Sequence, residues 1–186
     1  MSLKSISQYN RPVVNAEPLS SALSTNETAV LFEDILNSGL TLRVKVTGKS
    51  MAPVLQGGEI LTIKKAPSSS LQIGDLIFYK NREGFPLLHR IVRKQQERDI
   101  FLFQTKGDAL ITMDQPVTEH NILGKVCRIE KIFSGGRTKQ IEMESSIWKV
   151  INYFKAIISL GRSKIHSLLR SGLFSSFRHV IKKVFL

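Results

Sequence analysis

The chain has a single cysteine, Cys127, among 186 residues. An intramolecular disulfide is therefore excluded, which fits a reducing compartment. Nothing around Cys127 gives it the setting of a nucleophile, and it is expected to be a buried strand residue. No run approaches the ~20 apolar residues that span a bilayer. The N-terminus lacks the apolar core of a signal peptide. The expected location is cytoplasmic, peripheral at the inner membrane face. Acidic residues are missing from Ser145 to the end, where eight Lys or Arg stand. These eight make up two thirds of the net charge of +12. Such a surplus calls for an anionic partner, a membrane surface or nucleic acid. With few stacking aromatics and no recognised motif, nucleic acid is not expected. No His, Cys and Asp cluster has metal-ligand spacing, and no cofactor is expected.

Hydrophobic residues at 42% and charged residues at 23% are ordinary for a folded protein. The length leaves room for one domain with a core plus extensions. Residues 1–23 are polar, without periodicity, and read as a flexible arm. Ser24-Thr25-Asn26-Glu27 offers a capping box, and residues 24–39 read as a helix packed on the body. From residue 41 the period becomes two. Leu42, Val44 and Val46 alternate with Arg43, Lys45 and Thr47, the pattern of a half-buried strand. Further strands are expected at 59–64, 76–79, 87–93, 100–105, 124–130 and 138–142. Short strands between turn signals give a mainly β, compact antiparallel domain over residues 41–143.

Residues 145–186 read as a basic amphipathic helical tail. Ile147, Trp148, Ile151, Phe154, Ile157 and Ile158 recur at helical spacing, with Lys149 and Lys155 among them. Gly161 and Gly172 punctuate two further stretches. Such helices suit an anionic membrane surface, while packing of residues 146–160 on the β domain is the plainer role.

Gly48-Lys49-Ser50-Met51-Ala52-Pro53 breaks the first strand into a turn. Pro53 biases Ala52 away from helix, so Ser50 sits at a strand end, where a nucleophile must be. A serine hydroxyl needs a base to take its proton. Histidine suits that task, and a carboxylate on the far ring nitrogen fixes its tautomer. His89 and either Asp108 or Asp114 supply those groups. Each also has a plainer reading. His89 shares a strand face with Leu87 and Ile91, and both aspartates suit turns. His120, His166 and His179 have no partner indicated.

Taken in order, Ser50-Met51-x-Pro53, Gly74-Asp75, His89-Arg90, Lys106-Gly107-Asp108, Asp114 and Gly124-Lys125-Val126 resemble the type I signal peptidases. The similarity is to the archaeal and endoplasmic-reticulum branch, which has histidine where bacterial enzymes have lysine. It covers roughly residues 42–131. It implies the β-rich fold shared with self-cleaving repressors, and a serine endopeptidase that cleaves a leader or signal-type peptide. Ser50 would form the acyl-enzyme and His89 would be the general base. Asp114 would orient the histidine, with Asp108 an alternative or supporting member, and Met51 and Pro53 would meet substrate. Gly48-Lys49 stands where the family commonly has Ser-Gly, which leaves the oxyanion to backbone N–H groups such as that of Ser50. Ala109 replaces a usual Asn, and residues 24–38 replace a membrane anchor. An inactive peptide- or membrane-binding module and a self-processing regulator are the alternatives on the same fold.

Overall fold

The alternation from residue 41 builds one nine-stranded sheet in a computed structural model that describes residues 12–15, 25–98, 100–133 and 135–170. In chain order the elements are β1 (Val13–Asn15), α1 (Thr25–Asn37), β2 (Thr41–Lys45), β3 (Ile60–Lys64) and β4 (Leu76–Lys80). Then come β5 (Pro86–Glu97), β6 (Ile100–Lys106), β7 (Val117–Thr118), β8 (Ile122–Ile132), β9 (Thr138–Glu142) and α2 (Ser146–Arg170). The strand order is β1-β2-β3-β8-β4-β5-β6-β7, with β9 added beside β8. β1 runs parallel to β2, and the other described pairs are antiparallel. The architecture is mainly β with a helix at either end, as the sequence implies.

β4 explains why two cores can share one sheet. Side chains alternate along a strand, and Leu76, Ile77, Phe78 and Tyr79 are all buried. Leu76 and Phe78 join the core formed with Phe32 and Leu36 of α1, Leu42, Ile63 and Val126. Ile77 and Tyr79 join the other, with Leu71, Ile91, Phe103 and Val117. His89 lies opposite Ile77 in the β4–β5 register, and Arg90 opposite Leu76. Two successive β5 residues are thereby delivered to opposite faces.

Two features differ from expectation. β1 and β7 were not anticipated, because three and two residues are too few to show a period. The expected break at Gly161 is absent, and α2 runs unbroken from Ser146 to Arg170. Glycine costs a helix only about 1 kcal/mol relative to alanine, which the flanking turns absorb. α2 packs on the sheet through small and polar positions. Its buried positions are Asn152, Ala156 and Ser159, whereas Ile147, Phe154 and Ile158 are 73%, 59% and 63% exposed. Trp148 packs partly against the core. The Ser24 cap, most of the N-terminal arm and everything beyond Arg170, including Gly172 and His179, lie outside the described residues.

Candidate active site

Ser50 is held between the end of one strand and a buried turn. Beyond β2, Val46 N–H still bonds Glu59 O at 2.8 Å. The chain then turns, with Ala52 N–H on Lys49 O at 3.0 Å and Leu55 N–H on Met51 O at 3.0 Å. Met51 and Leu55 anchor this turn in the core. The Ser50 carbonyl accepts the Ala109 N–H at 2.9 Å. That approach requires glycine at 107, since a Cβ there would lie 2.7 Å from the Ser50 oxygen. The backbone of the serine is thus fixed from both sides.

The side chain of Ser50 meets His89, which β5 presents from within the sheet. Ser50 Oγ lies 3.0 Å from His89 Nε2, and His89 Nδ1 lies 2.7 Å from Asp114 Oδ2. With Nδ1–H donated to the carboxylate, Nε2 keeps its lone pair for the serine proton. Both distances fall within the range needed for proton transfer. Residues 39 and then 25 positions apart in sequence are brought into one line of hydrogen bonds.

Asp114 is held in turn. Its N–H bonds Thr105 O at 3.0 Å, and its carbonyl accepts the Gln104 side-chain amide. Thr105 Oγ1 lies 2.8 Å from Asp114 Oδ2 and 3.2 Å from the Tyr79 hydroxyl. Burial alone would raise the Asp114 pKa. The hydrogen bond and charge of His89, with bonds from Thr105 and Tyr79, outweigh it and hold the group below its usual value. The Tyr79 hydroxyl, 3.5 Å from His89 Nδ1, is pushed far above its ordinary range, first by burial. It stays protonated, so the carboxylate faces a donor on that side too. Tyr79 and Thr105 went unnoticed in the sequence, one inside an apolar run and the other inside a strand.

Asp108 is engaged elsewhere. Its two oxygens take Arg90 Nε at 2.8 Å and Nη2 at 2.7 Å, and Arg90 is wholly buried. This fork-to-fork geometry matches a structural pair. His120 lies in a 3-10 turn and His166 on the exposed surface of α2.

A cleft of about 590 Å³ opens beside Ser50 and His89. Val44, Val46, Gly48, Met51, Leu87 and Leu88 contribute to its wall, so an apolar extended ligand would fit it. Met51 contributes to the cleft wall, whereas Pro53 is exposed and outside that lining. Nothing lies within 4 Å of where a Gly48 Cβ would be. Among the described residues no helix is long and apolar enough to cross a membrane.

Comparison with known proteins gives the same direction as the motifs. No family model matches the chain. Signal peptidase I W of Bacillus subtilis is 34% identical over 86 residues, 45% of either chain. The signal peptidase complex catalytic subunit SEC11 of Clavispora lusitaniae is 32% identical over 75 residues, 40% of this chain and 44% of that one. The alignments thus span less than half the length of the curated relatives. Over the part that these alignments cover, the chain is signal peptidase-like.

Proposed function

We propose that the protein is a serine endopeptidase that cleaves leader or signal-type peptides through an acyl-enzyme. Ser50 attacks the scissile carbonyl, and His89 Nε2 takes its proton. The resulting imidazolium is stabilised by Asp114. His89 then returns the proton to the leaving amine, and a water, activated by the same nitrogen, hydrolyses the ester. The observation that carries this reading is the unbroken line from Ser50 Oγ through both His89 nitrogens to Asp114, at 3.0 and 2.7 Å. The apolar cleft beside it supports an extended peptide ligand. β1 already adds to the edge of β2 at Thr41–Arg43, and the following residues 44–48 line the cleft. A substrate strand would continue that pairing. With Gly48 in place of a hydroxyl residue, the oxyanion would rest on backbone N–H groups, including that of Ser50.

The partner beyond substrate is an anionic membrane surface. The acid-free stretch from Ser145 carries eight cations, each worth about 1 kcal/mol near such a surface. The exposed apolar side chains of α2 support the same assignment.

The test is reaction of wild type, Ser50→Ala and His89→Ala with a fluorophosphonate, read by intact mass. Modification of wild type alone is expected. A peptide-library digest with anionic vesicles present extends it to turnover. No Ser50-dependent modification or cleavage in either assay would leave a peptide-binding module on this fold.

A further inference from the structure

The helix α2 meets the sheet through polar atoms, and those atoms end on the segment that carries the candidate site. Asn152 Oδ1 accepts from Arg90 Nη1 at 3.0 Å, and the same nitrogen donates to Gly74 O at 2.8 Å. Arg90 in turn grips Asp108. Lys106 Nζ, fully buried, donates to Ser159 Oγ at 2.6 Å and Ser159 O at 3.2 Å. Ser163 Oγ donates to Ile111 O at 2.6 Å. The chain from Lys106 to Asp114 is therefore tied to α2 at 106, at 108 through Arg90, and at 111. The same segment holds the Ser50 carbonyl through Ala109 N–H and ends at the carboxylate on His89.

An apolar interface would dock α2 as firmly, because polar contacts bring little net stability over well-packed hydrophobic ones. Directional bonds instead fix where the segment sits relative to the helix. A shift of ~1 Å at reacting groups can cost about 10²-fold in rate. We infer that Asn152, Ser159 and Ser163 are positioning residues, through which α2 sets the distance between Ser50, His89 and Asp114. This rests on the reading of those three as the catalytic set.

The experiment compares the full-length wild type with Ser163→Ala, Asn152→Leu and Ser163→Thr. Three quantities are read: the rate of Ser50 modification by a fluorophosphonate, the ring resonances of His89 assigned by NMR against His89→Ala, and the thermal midpoint. Ser163→Ala is expected to slow modification about tenfold and to move the His89 resonances, with the thermal midpoint unchanged. Ser163→Thr, which keeps the hydroxyl, restores both. Asn152→Leu changes both in the same direction as Ser163→Ala. Modification at the wild-type rate with unmoved His89 resonances in both Ser163→Ala and Asn152→Leu would overturn the inference. So would slowing that follows the loss of thermal stability and is not restored by threonine. If wild-type Ser50 is not modified and the peptide digest shows no Ser50-dependent cleavage, the peptidase reading fails by itself. The His89 resonances then decide: movement in Ser163→Ala, reversed in Ser163→Thr, upholds the inference, and constancy ends it.

Discussion

Two aspartates six residues apart have opposite neighbours, and substitution should separate them. Asp108 neutralises an arginine with no solvent exposure. Asp108→Asn leaves that guanidinium buried without its anion and should cost about 3–5 kcal/mol in a denaturant titration. Asp114→Asn should instead lower turnover about 10³–10⁴-fold, since the amide favours the wrong imidazole tautomer. The fold should survive it better than the loss of Asp108. If Asp108→Asn proves the more stable variant, the assignment of roles is reversed. The pH dependence has a definite sign. Asp114 is held below its ordinary value, so its contribution to stability is complete above the unfolded carboxyl pKa of about 4. That contribution fades as pH falls through the lower native value. Between neutral pH and the acid limb, the thermal midpoint of Asp114→Asn should therefore fall less steeply than that of wild type. Ser50 and His89 could be picked out from their motifs, because nucleophile and base chemistry narrows the choice of residue. Thr105 could not, because an inward-facing threonine in a strand looks like any β-branched core residue until Asp114 is found beside it.

At the scale of elements, period-two alternation located β2, and turn signals on either side of short apolar stretches located six further strands of the nine. The face of α2 was not legible by the same logic. Burial fell on Asn152, Ala156 and Ser159, where hydrophobicity is low, and the apolar stripe was left outside. Hydrogen bonds to Arg90 and Lys106 chose the docking face. Such bonds join residues 62 and 53 positions apart and leave no periodic trace. Gly161 gives a clean check on the helix itself. A Cβ there would meet nothing within 4 Å. Gly161→Ala should stabilise the protein by about 1 kcal/mol, raising the thermal midpoint by a few degrees. No gain would mean that the helix is not continuous there in solution. Gly107→Ala makes the opposite case. Its Cβ would sit 2.7 Å from the Ser50 carbonyl, so Ser50 modification should fall sharply, and an unchanged rate would show that this close approach is dispensable.

For the whole molecule, the unexplained surface is the outer side of α2. Ile147, Val150, Phe154, Ile157, Ile158, Ile165 and Leu168 are each at least 45% exposed. At 100° per residue all seven fall within about 100° of arc, opposite Asn152 and Ser159. Lys149, Arg162 and Lys164 are exposed on the same helix. A stripe of that size left in water is unusual for a monomeric domain. Two copies meeting there would also bring two acid-free cationic tails together, whereas anionic lipid takes up both the apolar and the charged parts. Flotation with vesicles containing phosphatidylserine should therefore recover the protein. Recovery should drop with rising salt, through the charges, but not vanish, because the apolar part is not screened. Each apolar side chain fully buried in lipid is worth about 1.5–3 kcal/mol. Replacing Phe154 and Ile158 by Ser should then weaken binding by more than about a hundredfold. The thermal midpoint should hold, because both side chains already face solvent. If the double variant floats as well as wild type, the stripe does not enter the bilayer and charge alone holds the protein there. If it instead shifts the protein from dimer to monomer with no change in flotation, the stripe is a contact between copies. Retained flotation with wholly zwitterionic vesicles would remove the role assigned to the basic tail while keeping that of the stripe.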